Sequence, residues 1–211
     1  MQSNIARLLL DKQAVKVQTD PPFMWTSGIQ SPIYCDNRAL VSFPDARNEI
    51  VDVFLTVIRE QNLECDMIAG VATGAIAWGM LVADRLNKPF CYVRPEPRSH
   101  GTGKQVEGFV EKGQKIIVIE DLFSTAGSSV KAVEALRKEV DAEVVGIIAI
   151  STYQLEKARA RLEEANVRWW TLTNFGALVA ELDLPDEQKQ LIGEFSKDPA
   201  GWWETFQSKQ N

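Results

Sequence analysis

A chain of 211 residues, with 45% hydrophobic and 25% charged positions, is long enough for one sizeable domain with a full core and has the composition of a folded globular protein. Its net charge of −6 and pI near 5.0 oppose nucleic acid as a bulk partner, which requires a net basic face, although a local basic loop can still serve a small anion. No apolar run approaches membrane-spanning length, the first residues lack the basic-then-apolar pattern of a signal peptide, and Cys35, Cys65 and Cys91 form no C-x-x-C pair, so reduced thiols in a cytoplasm are expected.

Ile5, Leu8 and Leu9 at helical spacing, after a Ser3 cap, predict a short amphipathic helix over Asn4 to Lys12. Residues 13 to 44 lose periodicity and fill with Pro, Gly, Asp and aromatics, with Phe23-Met-Trp-Thr-Ser-Gly-Ile-Gln-Ser-Pro-Ile-Tyr-Cys-Asp-Asn-Arg38 at their centre. Such a segment is either a lid over a flat ligand or an irregular packed connection. From Asp45 to Asn62 the set Ile50, Val53, Phe54, Val57 and Ile58 predicts a helix. Met67 to Val71 reads as a buried strand; it runs through Ala-Thr-Gly-Ala into a helix carrying Trp78, Leu81, Val82 and Leu86. Gly74 and Gly79 have the outer spacing of a P-loop, but Met80 stands where that loop needs Lys, so an ATPase is excluded.

Phe90 to Val93 predicts a third strand, leading into Arg94-Pro-Glu-Pro-Arg-Ser-His-Gly-Thr-Gly-Lys-Gln-Val-Glu-Gly108. With Arg94, Arg98, His100 and Lys104 among three glycines, this stretch is either a cationic lid that closes on an anion or a solvated surface loop. His100 is the only histidine, so a histidine metal site is ruled out, and no G-x-S-x-G elbow supports a serine hydrolase.

Ile116 to Ile119 is a short buried strand, Glu120 and Asp121 follow at its end, and Ser124, Thr125, Ser128 and Ser129 surround Gly127 before a helix expected near Val130. Backbone N–H groups and the positive pole at a helix start can hold a phosphate, with the hydroxyls as added donors. The two acids have the wrong charge for that role and suit sugar hydroxyls or an accompanying divalent cation. Beyond them come a helix marked by Val130, Val133, Leu136 and Val140, a strand over Val144 to Ile150, a charged helix over Leu155 to Asn166 and a strand over Val167 to Thr171. This alternation predicts a parallel sheet with helices on both faces and ligands beyond the strands' carboxyl ends. After Glu181, Pro185 suits a helix start, and Trp202, Trp203 and Phe206 are expected to pack back onto the domain.

The stretch from Ile116 to Ser128, a hydrophobic strand, two acids and a Thr/Ser/Gly-rich loop, resembles the phosphoribosyl-pyrophosphate (PRPP) motif of type I phosphoribosyltransferases. The segment Phe23 to Arg38 is similar to the N-terminal part of orotate phosphoribosyltransferases, where it forms a hood over the pyrimidine base. The resemblance covers nearly the whole chain. It implies an α/β parallel-sheet type I phosphoribosyltransferase fold of about five core strands with helices on both faces, in a single domain over residues 1–211 whose residues 1–44 contribute the hood. The implied reaction is transfer of ribose 5-phosphate from PRPP to orotate, giving orotidine 5'-monophosphate and pyrophosphate in de novo pyrimidine synthesis.

Carried over by position, the resemblance assigns PRPP to Arg94, Arg98, His100 and the run Glu120, Asp121, Leu122, Phe123, Ser124, Thr125, Ala126, Gly127 and Ser128. Within it, Ser124 to Ser128 would cradle the 5'-phosphate and the acids would hold the ribose hydroxyls. Orotate falls to Ser124 with Ser27, Gly28 and Tyr34. The Ala-Thr-Gly-Ala turn would lie near the pyrophosphate; close strand–helix packing is the other reading of its glycines. Magnesium would arrive with the pyrophosphate, since the sequence offers no dedicated cage. Arg94, Arg98 and His100 would reach a neighbouring subunit's pyrophosphate in a homodimer, with Arg98 and His100 catalytic.

Four positions depart from the family pattern. Arg98 replaces a catalytic Lys, so charge stabilisation survives and proton transfer passes to His100. Gln30 replaces a Lys, Pro95 stands where some relatives have a basic residue, and Ala126 replaces a loop Gly, which is expected to demand a negative φ there. Two alternatives stand beside orotate transfer: a purine phosphoribosyltransferase, which leaves the segment Trp25 to Arg38 without a purpose, and a non-catalytic PRPP-sensing regulator, for which an acidic chain offers no nucleic-acid surface.

Overall fold

A computed structural model describes residues 2–25, 28–97 and 103–208. Helix α1 (Gln2–Asp11) buries Ile5 and Leu9 of the predicted stripe together with Ala6, while Leu8 is half-buried. The stretch read as irregular holds two nested hairpins: β1 (Val15–Val17) pairs antiparallel with β4 (Ile33–Cys35), and inside them β2 (Phe23–Met24) pairs with β3 (Gln30–Ser31). Strands of two or three residues are too short to show a period of two, which is why the pattern hides them. A 3₁₀ turn over Asn37–Ser42 follows, its first N–H groups met by the Asp36 carboxylate accepting from Arg38 N.

Helix α2 (Pro44–Glu60) begins with Pro at its first position, where the missing N–H costs nothing, and buries Ile50, Val51, Phe54, Val57 and Ile58. Next come β5 (Met67–Val71), α3 (Ile76–Leu86), β6 (Phe90–Val93), β7 (Val106–Glu107), β8 (Lys115–Phe123), α4 (Gly127–Val140), β9 (Glu143–Thr152), α5 (Glu156–Glu164) and β10 (Trp169–Thr171). The main sheet has the order β10-β9-β8-β5-β6-β7, with five parallel strands as expected. The sixth, β7, is an antiparallel edge strand inside the stretch read as loop; it offers two residues and one apolar side chain, too little for a sequence signal.

The chain leaves β5 for β6 on one side and returns to β8 on the other, so the β5–β8 boundary is the point where strand order reverses. In a doubly wound sheet that reversal opens a crevice beyond the strands' carboxyl ends. Gly70 and Gly79 let α3 lie close on β5: a Cβ on Gly79 would stand 3.1 Å from the Gly70 Cα and 2.8 Å from the Phe90 ring.

Helices α6 (Phe175–Ala180), α7 (Asp186–Gly193) and α8 (Trp202–Ser208) end the chain. Trp202 and Phe206 are buried, as expected for aromatics that pack the terminus inward. Their partners are informative: Trp202 stands edge-on to Phe195, Phe195 stands edge-on to Trp25, and Trp25 stacks on Tyr153 with ring centres 4.6 Å apart. One aromatic chain thus ties the carboxyl-terminal helices to the hood.

Candidate active site

The acids lie within strand β8 and not beyond its end, because β8 continues through Phe123 and pairs Glu120, Leu122 and Phe123 with Ala149, Ser151 and Thr152 of β9. Helix α4 accordingly starts at Gly127, three residues before the expected Val130, which places Ser128 and Ser129 in its first turn. Glu120 is buried at 3% exposure. Its Oε2 accepts hydrogen bonds from Ser129 Oγ at 2.8 Å and Ser128 Oγ at 3.2 Å, and its Oε1 accepts from Asp121 N at 3.0 Å. Burial, then the adjacent Asp121 charge and a hydrogen bond shared with that side chain, hold the Glu120 carboxyl well above the usual carboxylate range. Ser128 and Ser129 therefore spend their protons on the acid, a correction to the reading that offered both hydroxyls to phosphate.

Asp121 is half-buried at the crevice and its carboxylate lies against the turn after β5. A Cβ on Gly74 would stand 2.1 Å from Asp121 Oδ2, so this glycine makes room for the acid, while Gly70 and Gly79 serve strand–helix packing. From beneath, the hood secures Asp121: Asn37 Nδ2 donates to the Asp121 carbonyl at 2.6 Å and to Ser151 Oγ at 3.0 Å. Cys35 Sγ donates to Asn37 Oδ1 at 3.2 Å, and burial pushes its thiol up to about 12, which excludes a thiolate nucleophile. Cys35 N donates to the Tyr153 hydroxyl at 3.0 Å, and burial raises that phenol too.

Beside the acids a cavity of about 410 Å³ is lined by Met24, Trp25, Tyr34, Cys35, Leu122, Ser124, Thr125 and Tyr153. It brings Tyr34 and Ser124 together, and the size and aromatic walls suit one planar ring. Gly28 does not line it. With φ of +82° and its N–H donated to Trp25 O, it closes the tip of the β2–β3 hairpin. Phe123 turns its ring into the core, edge-on to Trp169, and Leu122 faces the cavity. Ser27 lies outside the described residues.

Ala126 contradicts its expected conformation. Its φ is +54°, in the left-handed region, and it immediately precedes the first turn of α4. The geometry of the turn and 97% burial of the residue hold the alanine there in spite of its Cβ. The outer side of the loop is braced by Arg161 of α5, whose Nη1 donates to Thr125 O at 3.0 Å and Thr125 Oγ1 at 3.1 Å.

The cationic segment leaves β6 at Arg94, which pairs with Glu107 at 3.5 Å, and returns at Gln105. Arg94 N donates to Gln105 O at 3.0 Å, and the Glu139 carboxylate of α4 accepts from Gln105 N and Val106 N, so both stems are fixed at their base. Arg98 and His100 lie outside the described residues. Sequence reasoning passed over Asn37, Glu139, Tyr153 and Arg161 as site residues. Asn37 lay within the quoted D-N-R motif; the others carry no local signal, because each meets the site from a distant element.

Residues 44–176 match the phosphoribosyl transferase domain family, a span holding the whole main sheet and both site loops but neither the hood nor α7 and α8. An orotate phosphoribosyltransferase of Cytophaga hutchinsonii is 45% identical over 202 residues, 94% of this chain and 96% of that protein. The crystal structure of an orotate phosphoribosyltransferase from Aeropyrum pernix superposes with a TM-score of 0.75 at 30% identity, covering 84% of this chain and 97% of the other. The UMP synthase of Leishmania donovani gives a TM-score of 0.77 at 26% identity over 93% of this chain, which spans 42% of that longer protein. With the fold, the acid pair at the sheet's switch point and near-complete coverage of its relatives in agreement, the chain belongs to the orotate phosphoribosyltransferases.

Proposed function

We propose that this chain joins ribose 5-phosphate from PRPP to the ring nitrogen of orotate. The C1–pyrophosphate bond breaks, the C1–nitrogen bond forms, and orotidine 5'-monophosphate and pyrophosphate leave. The observation that carries this reading is the adjacency of Asp121 and the Ser124–Ser128 loop to a cavity of one-ring size. The reaction passes through a ribosyl cation-like state, so its rate depends on holding the departing pyrophosphate and excluding water.

Asp121 and Glu120 accept the ribose hydroxyls, which orients C1 toward the cavity. Loop N–H groups at the start of α4 take the 5'-phosphate on the positive helix pole. Trp25 and Tyr153 support the hood that covers the base, with Ser124 and Tyr34 on its edges. Arg94, Arg98 and His100 meet the pyrophosphate of a second subunit, Arg98 as fixed charge and His100 as proton donor. Bound magnesium supplies charge neutralisation on the leaving pyrophosphate. The half-buried Asp121 carboxylate would suit such a hard cation, whereas the Glu120 oxygens already accept from Ser128, Ser129 and Asp121 N; no group of three or more His, Cys, Asp or Glu among the described residues forms a metal cage. The chain works as one unit over residues 1–211, with 1–44 as the base cover, in a cytoplasmic homodimer without nucleic-acid or membrane partners. Among the described residues no helix is long and apolar enough to cross a membrane.

The test follows orotate absorbance with PRPP and magnesium present, omitting each in turn. Loss of orotate only with all three supports the reading; consumption of adenine or hypoxanthine instead assigns a purine enzyme, and PRPP binding without turnover a sensor. For the shared site, an Arg98→Ala/His100→Ala chain is mixed with an Asp121→Ala chain. Recovery of up to about a quarter of wild-type activity is expected, since half of randomly paired dimers carry one complete site, whereas no recovery refutes sharing.

A further inference from the structure

The phosphate-binding reading of the Ser124–Ser128 loop leaves one charge beside it without a role. Helix α5 carries two arginines in contrasting settings. Arg159 is neutralised on its own helix by Glu156 at 2.6 Å and Glu163 at 3.0 Å. Arg161, one turn from the helix end, takes part in none of the described ion pairs; both its described hydrogen bonds go to neutral acceptors of Thr125, the carbonyl and the hydroxyl. The half-buried guanidinium thus keeps its positive charge behind the loop, at the edge of a cavity of about 370 Å³ that it shares with Gly127, Lys131, Glu134 and Glu164.

The placement has two physical consequences. Thr125 and Gly127 flank the left-handed Ala126, and Arg161 lies beside both: it bonds Thr125, and a Cβ added to Gly127 would lie 3.1 Å from the same Nη1. The guanidinium therefore braces the loop at its least favourable backbone conformation. A threonine hydroxyl has one proton to give, and here its oxygen already accepts from Arg161. No described hydrogen bond has Thr125 Oγ1 as donor, so its proton is left for an acceptor outside the protein.

We propose that Arg161 is a positioning residue of the phosphate site: by holding the Thr125 carbonyl and hydroxyl together it sets the loop's anion-receiving shape and makes Thr125 a donor to the sugar 5'-phosphate. The inference rests on the phosphoribosyl reading of this loop and adds to it a residue from a different element, whose charge acts through Thr125 and not by contact with the reacting atoms.

Calorimetric titration of the full chain with ribose 5-phosphate and, separately, with pyrophosphate and magnesium tests it. Arg161→Ala is expected to weaken ribose 5-phosphate about tenfold, the scale of losing a charge-assisted hydrogen bond, and to leave pyrophosphate within about twofold. KM for PRPP rises while kcat changes little, because the contact is present before and during the transition state. In a Thr125→Val background the same change should cost less than about threefold, since the two residues act as a unit. Arg161→Met keeps the apolar stem and repeats the measurement where Arg161→Ala unfolds. Unchanged ribose 5-phosphate affinity, equal weakening of both ligands, or full additivity with Thr125→Val overturns the proposal. Failure of the wild-type chain to bind ribose 5-phosphate would instead overturn the phosphoribosyl reading on which it stands.

Discussion

Gly74→Ala separates function from stability at one methyl group. Gly74 has no positive φ, so alanine meets no backbone penalty there. Its Cβ, however, would stand 2.1 Å from Asp121 Oδ2, 2.6 Å from Cγ and 3.0 Å from Oδ1. Unstrained contacts of this kind lie near 3.5 Å, so the carboxylate must retreat by more than about 1 Å. The obstacle is the end of a side chain, which can rotate at about 0.5–1.5 kcal/mol. For a chain of this length that lowers Tm by about 1–6 °C. A displacement of about 1 Å in a group that orients substrate costs on the order of 100-fold in rate. Initial-rate kinetics in PRPP should therefore show kcat/KM reduced about 100-fold, beside a thermal melt close to wild type. Gly79→Ala is the opposing control: its Cβ would meet the Gly70 backbone at 3.1 Å and the Phe90 ring at 2.8 Å, so it should destabilise by about 1–3 kcal/mol with modest kinetic change in the folded fraction. If Gly74→Ala keeps kcat/KM within about twofold, Asp121 does not orient the sugar and the site assignment fails.

Glu120→Gln makes stability less dependent on pH. The folded chain holds the Glu120 proton more tightly than the unfolded chain, so between the ordinary glutamate value of about 4.3 and the raised folded one the native state binds more protons and stability falls as pH rises. Gln does not titrate, so melts taken from pH 4 to 8 should show the variant gaining on wild type toward pH 8; a constant gap refutes the raised carboxyl. PRPP binding that places hydroxyl donors on Glu120 should release a proton, visible as a buffer-dependent enthalpy in calorimetry. Ala126→Gly relieves a left-handed alanine worth about 1–2 kcal/mol but gives back part of that through the unfolded chain's freedom, for a net gain of about 0.5–1 kcal/mol in denaturant melts; net destabilisation contradicts the φ of +54°. Trp25→Leu removes the Tyr153 stack and the Phe195 edge contact, each aromatic pair being worth about 0.5–1.5 kcal/mol, and should raise the orotate KM about tenfold with the PRPP KM unchanged. Equal effects on both substrates would place Trp25 outside the base pocket.

Elements with enough residues to repeat were legible from the amino-acid order. Helix α2 shows its buried stripe, and the apolar runs of β5, β8 and β9 announce a parallel sheet, because burial on both faces demands an unbroken apolar run. The acid pair and the hydroxyl-rich turn were visible for the same reason: their chemistry needs neighbours in sequence. The hairpins of the hood and the edge strand β7 left no mark, since two or three residues cannot display a period. Local reading also ended β8 at its last apolar residue, whereas pairing with β9 carries it through Phe123 and draws α4 forward to Gly127.

What only the tertiary structure decided is how groups distant along the chain converge on that turn. Asn37 reaches the Asp121 carbonyl across 84 positions, Arg161 reaches Thr125 across 36, and Gly74 yields space to a carboxylate on another strand. The sequence by itself settled the fold class, the order of acid pair and hydroxyl-rich turn, and the family resemblance, because strand runs, helix starts and motif order are local. The protonation of Glu120, the left-handed turn at Ala126 and the aromatic wall joining Trp25 to Tyr153 depend on burial and on contacts between separate elements, quantities that exist only once the sheet has formed.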